Sequence, residues 1–186
     1  MPNAILDPTG RDSRTSAPAP GLDLAPRRSD LSGARVGLMD NTKHNAALLL
    51  AEIGKLLASE HGATVTVRAT KANFAAPAPE DLVERYRASC DVVLTGVGDC
   101  GSCSASAVAD GIAFERAGLP AAVICSDAFV VTADAMAELR GAPGYHYLRT
   151  SHPVAVLTPD QVRQRAKQLL PGVVEMLTAQ QRPPRQ

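Results

Sequence analysis

Two cysteines with two residues between them, in Cys100-Gly101-Ser102-Cys103, follow the apolar run 91–96 and precede an alanine-rich stretch with helical spacing. A strand that hands over to a helix places such a pair beside unpaired N–H groups and the positive end of the helix dipole, which hold a thiolate as an anion. Helix N-termini and Cys-x-x-Cys spacing can each draw a thiol below its reference pKa of ~8.5, making it a nucleophile near neutral pH. Residue types alone leave open which cysteine attacks. A structural zinc site would need about four ligands, and with a single Cys-x-x-Cys it would have to recruit Cys125 and His152. Plain packing does not explain a Gly-Ser turn between two thiols. Thiol chemistry is therefore the favoured reading, with no resident metal and no organic cofactor expected.

Other polar residues fall where the same site would need them. In Asn41-Thr42-Lys43-His44-Asn45, Lys43 could give charge and Asn41 or Asn45 amide hydrogen bonds to a carboxylate, with helix capping as the plain alternative. Asp99 could take a proton or set the turn, and Asp99, Ser102 and Ser104 are candidate substrate contacts beside the thiols. His152, just before Pro153, is the candidate general acid or base, the alternative being a surface histidine. Cys90 opens a strand at the far end and reads as a small buried hydrophobe. Cys125 closes a strand on the functional side but carries no spacing motif.

These residues need a scaffold of alternating strands and helices. Strands are expected over 35–41, 63–68, 91–96, 121–125 and 145–149, with 154–157 competing for the last. The second, alternating in polarity, should lie at an edge. Helices are expected over 43–60, 80–89, 104–117 and 132–139, and a final one is capped by Thr158, opened by Pro159 and extended to Leu177. The pattern implies an α/β fold, a flavodoxin-like three-layer sandwich with a five-stranded parallel sheet in the order 2-1-3-4-5. Its switch point would bring the loop after the first strand against the loop after the third. Residues 1–32, rich in Pro, Ser and Arg, read as an extended or disordered arm, 33–179 as the α/β domain and 180–186 as a flexible tail.

With 19 basic and 19 acidic side chains, no Trp and 3% aromatic residues, nucleic acid and anionic membranes are not expected partners. The longest apolar runs are too short to span a bilayer and no secretory signal is recognised, so a cytoplasmic protein is expected.

The ordered set of motifs resembles the UGSC-like family, named for a selenocysteine-Gly-Ser-Cys element in which cysteine often replaces selenocysteine. The residues concerned are Thr95-Gly96-Val97-Gly98 before Asp99-Cys100-Gly101-Ser102-Cys103, Leu6-Asp7-Pro8-Thr9-Gly10, Asn41 to Ala46, Pro77-Ala78-Pro79-Glu80-Asp81-Leu82, Glu115 to Pro120, Val123-Ile124-Cys125 and Ser151-His152-Pro153 leading into Thr158-Pro159-Asp160-Gln161-Val162. The family is in turn distantly similar to the selenoprotein subunits of glycine and proline reductases. The resemblance implies a thiol that attacks a small molecule and leaves as an oxidised sulfur species, with Cys100 in the selenocysteine place and Cys103 as its partner. Sulfur at Cys100 is less acidic and a poorer leaving group than selenium. The expected function is a thiol-dependent redox or nucleophilic enzyme in which Cys100 attacks, Cys103 resolves, and a thioredoxin-like or other dithiol restores the pair. The alternatives are a redox-neutral enzyme with His152 as base and a non-catalytic or metal-binding subunit of a larger complex. A partner subunit or homo-oligomer is compatible with each.

Overall fold

The computed structural model describes residues 22–178. Strands β1 (Arg35–Asp40), β2 (Thr64–Thr70), β3 (Val92–Gly98), β4 (Ala121–Ser126) and β5 (Leu148–Thr150) pair in parallel in the order β2-β1-β3-β4-β5. The helices between and after them are α1 (Ala46–His61), α2 (Glu80–Ser89), α3 (Gly101–Arg116), α4 (Val130–Leu139) and α5 (Pro159–Leu177), with a 3-10 turn over Asp127–Phe129. This is the flavodoxin-like order expected from the sequence. No helix among the described residues is long and apolar enough to cross a membrane.

The period of two along the central strands builds both layers. Val92, Leu94, Ala122 and Ile124 face α1 and α5, meeting Leu50, Ile53, Val162 and Val173. Val93 and Ala121 face the opposite layer with Tyr86 of α2 and Phe114 of α3, and Val123 and Cys125 meet Val108 and Ile112 of α3 and Ala133 of α4. Because both faces are covered, every residue of β3 and β4 is buried, whereas β2 at the edge is mostly not.

Several boundaries differ from the sequence reading, and local reasons account for three elements. Helix α1 starts at Ala46 rather than residue 43, since Thr42 and Asn45 adopt left-handed φ values of 66° and 68° and keep the loop out of the helix. Helix α3 starts earlier than 104, at Gly101, with Cys100 as its N-cap. Strand β5 is shorter and later than 145–149: Gly141 and Gly144 turn the chain at positive φ, and Tyr145 and Tyr147 pack under α3 and α4 instead of pairing. The competing stretch 154–157 is a loop.

Of the expected arm, residues 1–21 lie outside the described residues, as do 179–186. Residues 22–32 lie outside the named strands and helices but are fastened to the core. Glu115 accepts both guanidinium ends of Arg27, at 2.7 and 2.8 Å, and the backbone N–H groups of Ala25 and Ala121. Leu31 is buried against the α1 layer.

Candidate active site

The thiol turn is shaped by what cannot fit around it. A Cβ on Gly96, whose φ is +149°, would stand 2.7 Å from the Ile124 carbonyl oxygen, and one on Gly98 would stand 2.7 Å from both Cys125 Sγ and Ser104 Oγ. The Gly96–Val97 peptide is cis, and Asn41 from the end of β1 clamps it: its Nδ2 donates to the Val97 carbonyl (2.9 Å) and its Oδ1 accepts the Val97 N–H (3.1 Å). The start of the loop after β1 therefore meets the end of β3.

Cys100 then caps α3. Its Sγ accepts the N–H of Cys103 at 3.3 Å, with the Ser102 hydroxyl 3.6 Å away, and no acidic residue in the first helical turn competes for the dipole. The two cysteines, Cα atoms 5.2 Å apart, are joined as a disulfide. Cys103 is fully buried, whereas Cys100 is partly exposed.

Asp99 ties this turn to the loop after β5. Its side chain is 3% exposed and its carboxylate accepts the N–H groups of Val154 (3.0 Å) and Ala155 (2.9 Å) and His152 Nδ1 (2.9 Å). From the other side Asn45 Nδ2 donates to the carbonyls of Val154 and Leu157, and His44 Nδ1 donates to that of Ala155. The strand ends of β1, β3, β4 and β5 thus share one rim, with Ser126 donating to the Gly98 carbonyl at 3.1 Å.

The sequence matches the family described as the UGSC family over residues 4–179. The chain belongs to the UGSC family. No curated protein matches it. Among solved structures it is similar to the flavodoxin-like domain of a Synechococcus sp. protein, with 16% identity, a TM-score of 0.37, and coverage of 75% of this chain and 93% of that one.

In this UGSC-family site the sequence candidates separate into distinct places. Cys100, Cys103, Asp99 and Ser102 lie together at the start of α3, and His152 joins them through Asp99. With Nδ1–H committed to the carboxylate, His152 keeps Nε2 for other partners, its ring edge-on to Phe129 with centroids 5.2 Å apart. No hydrogen bond joins it to either sulfur among the described residues. Asn41 and Asn45 spend their amide donors on backbone carbonyls, so they shape the loops rather than offering those donors to a ligand. Lys43 lies with its Nζ 4.7 Å from the centre of the Phe74 ring. Ser104 is buried beneath Gly98 beside Cys125, a packing position.

Burial pushes the Cys125 thiol up to about 12 and also raises Cys90, so neither is poised to react. Among the described residues no group of three or more His, Cys, Asp or Glu side chains could hold a metal ion. Ser126, Asp127 and Phe129 were not singled out in the sequence. Their only signal was position, directly after a strand whose end must face the crevice.

Burial works to raise the Asp99 carboxyl, but the N–H groups of Val154 and Ala155, with Ser126 and His152, outweigh it and leave it below its ordinary value. Asp99 is thus a standing anion that anchors loops, not a proton acceptor near neutrality. A depressed carboxyl stabilises the fold fully above the unfolded value of ~3.9 and loses that contribution as pH falls through the lower folded value. We expect Asp99→Asn to cost about 2 kcal/mol at pH 7 and to flatten stability against pH below about 4, as read by urea unfolding. An unchanged acid limb in the variant would contradict the assignment.

Proposed function

We propose that this protein is a thiol-dependent redox enzyme acting on a small electrophile, with Cys100 as the attacking and Cys103 as the resolving thiol. One observation carries the reading: the cysteine that caps the helix is partly exposed, and its partner is sealed beneath it within bonding reach. A substrate can approach Cys100 but not Cys103.

For a disulfide R–S–S–R′, the Cys100 thiolate bonds to one sulfur and the S–S bond breaks, releasing R′–S⁻. Cys103 thiolate then attacks Cys100 Sγ, closing the Cys100–Cys103 disulfide and expelling R–S⁻. Two electrons have passed to substrate, and the two cysteine protons end on the released thiols. An external dithiol, thioredoxin-like in chemistry, returns the pair to the reduced state, which suits a reducing cytoplasm. The N–H of Cys103 and the dipole of α3 favour the attacking anion.

The bond between Asp99 and His152 favours a second reading, in which Cys100 is a redox-neutral nucleophile and His152 Nε2 moves a proton. That chemistry has no use for Cys103. Under the first reading, a limiting alkylating reagent at neutral pH should label Cys100 of the fully reduced protein well before Cys90, Cys103 and Cys125. Peptide mapping reads the order, and equal labelling of all four thiols would remove the activation argument.

A further inference from the structure

Outside the thiol turn, the largest investment of buried charge lies between the β2–α2 loop and α3. Lys71 Nζ bonds Asp110 Oδ2 at 2.5 Å and Ser106 Oγ at 2.7 Å, with the two charged side chains 2% and 1% exposed. Asp110 Oδ1 accepts the N–H of Ala78, and Ser106 Oγ donates to the carbonyl of Ala76. Such a pair is costly to desolvate, and apolar residues of similar size would usually serve stability as well, so its distinctive effect is to fix which part of the loop meets which turn of the helix. Ser106 lies one turn beyond Cys103 on α3.

The fastened loop carries Phe74, two residues before Ala76. Of the chain's three phenylalanines, Phe114 is fully buried, Phe129 lies against His152 at the rim, and Phe74 is 40% exposed. Lys43 stands over that ring, and among the described residues no carboxylate pairs with its ammonium. Lys43 is two residues from Asn41, which grips Val97 just ahead of the thiol turn. The loop that carries Lys43 is thus tied to the end of β3, which leads into the thiol turn, and the loop that carries Phe74 to the second turn of α3.

We propose that Lys43 and Phe74 form the specificity subsite of this thiol centre, taking a small carboxylate whose acid group meets the Lys43 ammonium and whose apolar body lies on the Phe74 ring. Lys71 and Asp110 are the positioning residues that hold the loop in place. An ammonium over an aromatic face has a modest interaction to give up, and a ligand carboxylate supplies a stronger, charge-assisted one. The proposal rests on Cys100 as the attacking thiol and gives that reaction its substrate class.

The test uses the full-length reduced protein with two probes, the disulfide of 3-mercaptopropionate and the neutral disulfide of 2-mercaptoethanol. Each rate of Cys100–Cys103 closure is divided by the rate of the same probe with dithiothreitol, which removes intrinsic reactivity. The normalised ratio should favour the carboxylate probe by about tenfold. It should fall to near unity in Lys43→Gln, be largely kept in Lys43→Arg, and drop several-fold in Phe74→Ala. A native ratio near unity, or one that survives Lys43→Gln, overturns the subsite while leaving the thiol reading intact. Failure of both probes to close the pair overturns both.

Discussion

Cys103→Ser protein given a small disulfide should react once and stop, holding half of the reagent on Cys100, whereas Cys100→Ser should neither consume reagent nor form an adduct. The asymmetry follows from burial and from the helix end. Cys100 presents its sulfur at the α3 cap with one N–H donated to it, and Cys103 has no solvent exposure through which an external electrophile could arrive. Resolution is intramolecular, between residues whose Cα atoms are 5.2 Å apart, so removing Cys103 removes the step that releases the adduct. Intact-protein mass spectrometry reads the outcome directly. A stable adduct on Cys103 in Cys100→Ser, with none on Cys100 in the reciprocal variant, would reverse the roles. Sustained turnover by Cys103→Ser would favour the redox-neutral reading, which needs one thiol.

The second large effect is expected far from the thiols. Glu115, at the other end of the helix that Cys100 caps, has a side chain with no exposure, and Arg27, 15% exposed, is its cationic partner. Glu115→Leu strands the guanidinium and the N–H groups of Ala25 and Ala121 together, and should cost about 3 to 5 kcal/mol, a large part of the ~5–15 kcal/mol that holds a typical domain. Arg27→Met should cost less, because the two backbone donors keep their acceptor. Urea unfolding of both variants checks the order. A loss under about 1 kcal/mol for Glu115→Leu would mean that the lead-in does not stabilise the domain.

The architecture was legible because hydrophobic period and turn residues encode it locally. The apolar run through Val92, Val93 and Leu94, the Gly118-Leu119-Pro120 stop and the Thr158-Pro159 start place strands and helices without tertiary knowledge. The thiol turn was legible for the same reason. What escaped was set by contacts across long stretches of sequence. That Arg27 belongs to Glu115, that Asn41 grips Val97 rather than a ligand, and that Lys71 enters α3 at Asp110 depend on pairings 88, 56 and 39 residues apart. Phe74 and Phe129 carry no motif, and each gains meaning only from the side chain it meets.

The most direct test of the central claim is peptide mapping of the fully reduced protein after one equivalent of a small disulfide at neutral pH. The expected product has lost two hydrogens, carries no bound reagent, and joins Cys100 to Cys103, with Cys90 and Cys125 still free. A protein that stays reduced, one that keeps the reagent on Cys100 with Cys103 free, or a disulfide that involves Cys90 or Cys125 would contradict it.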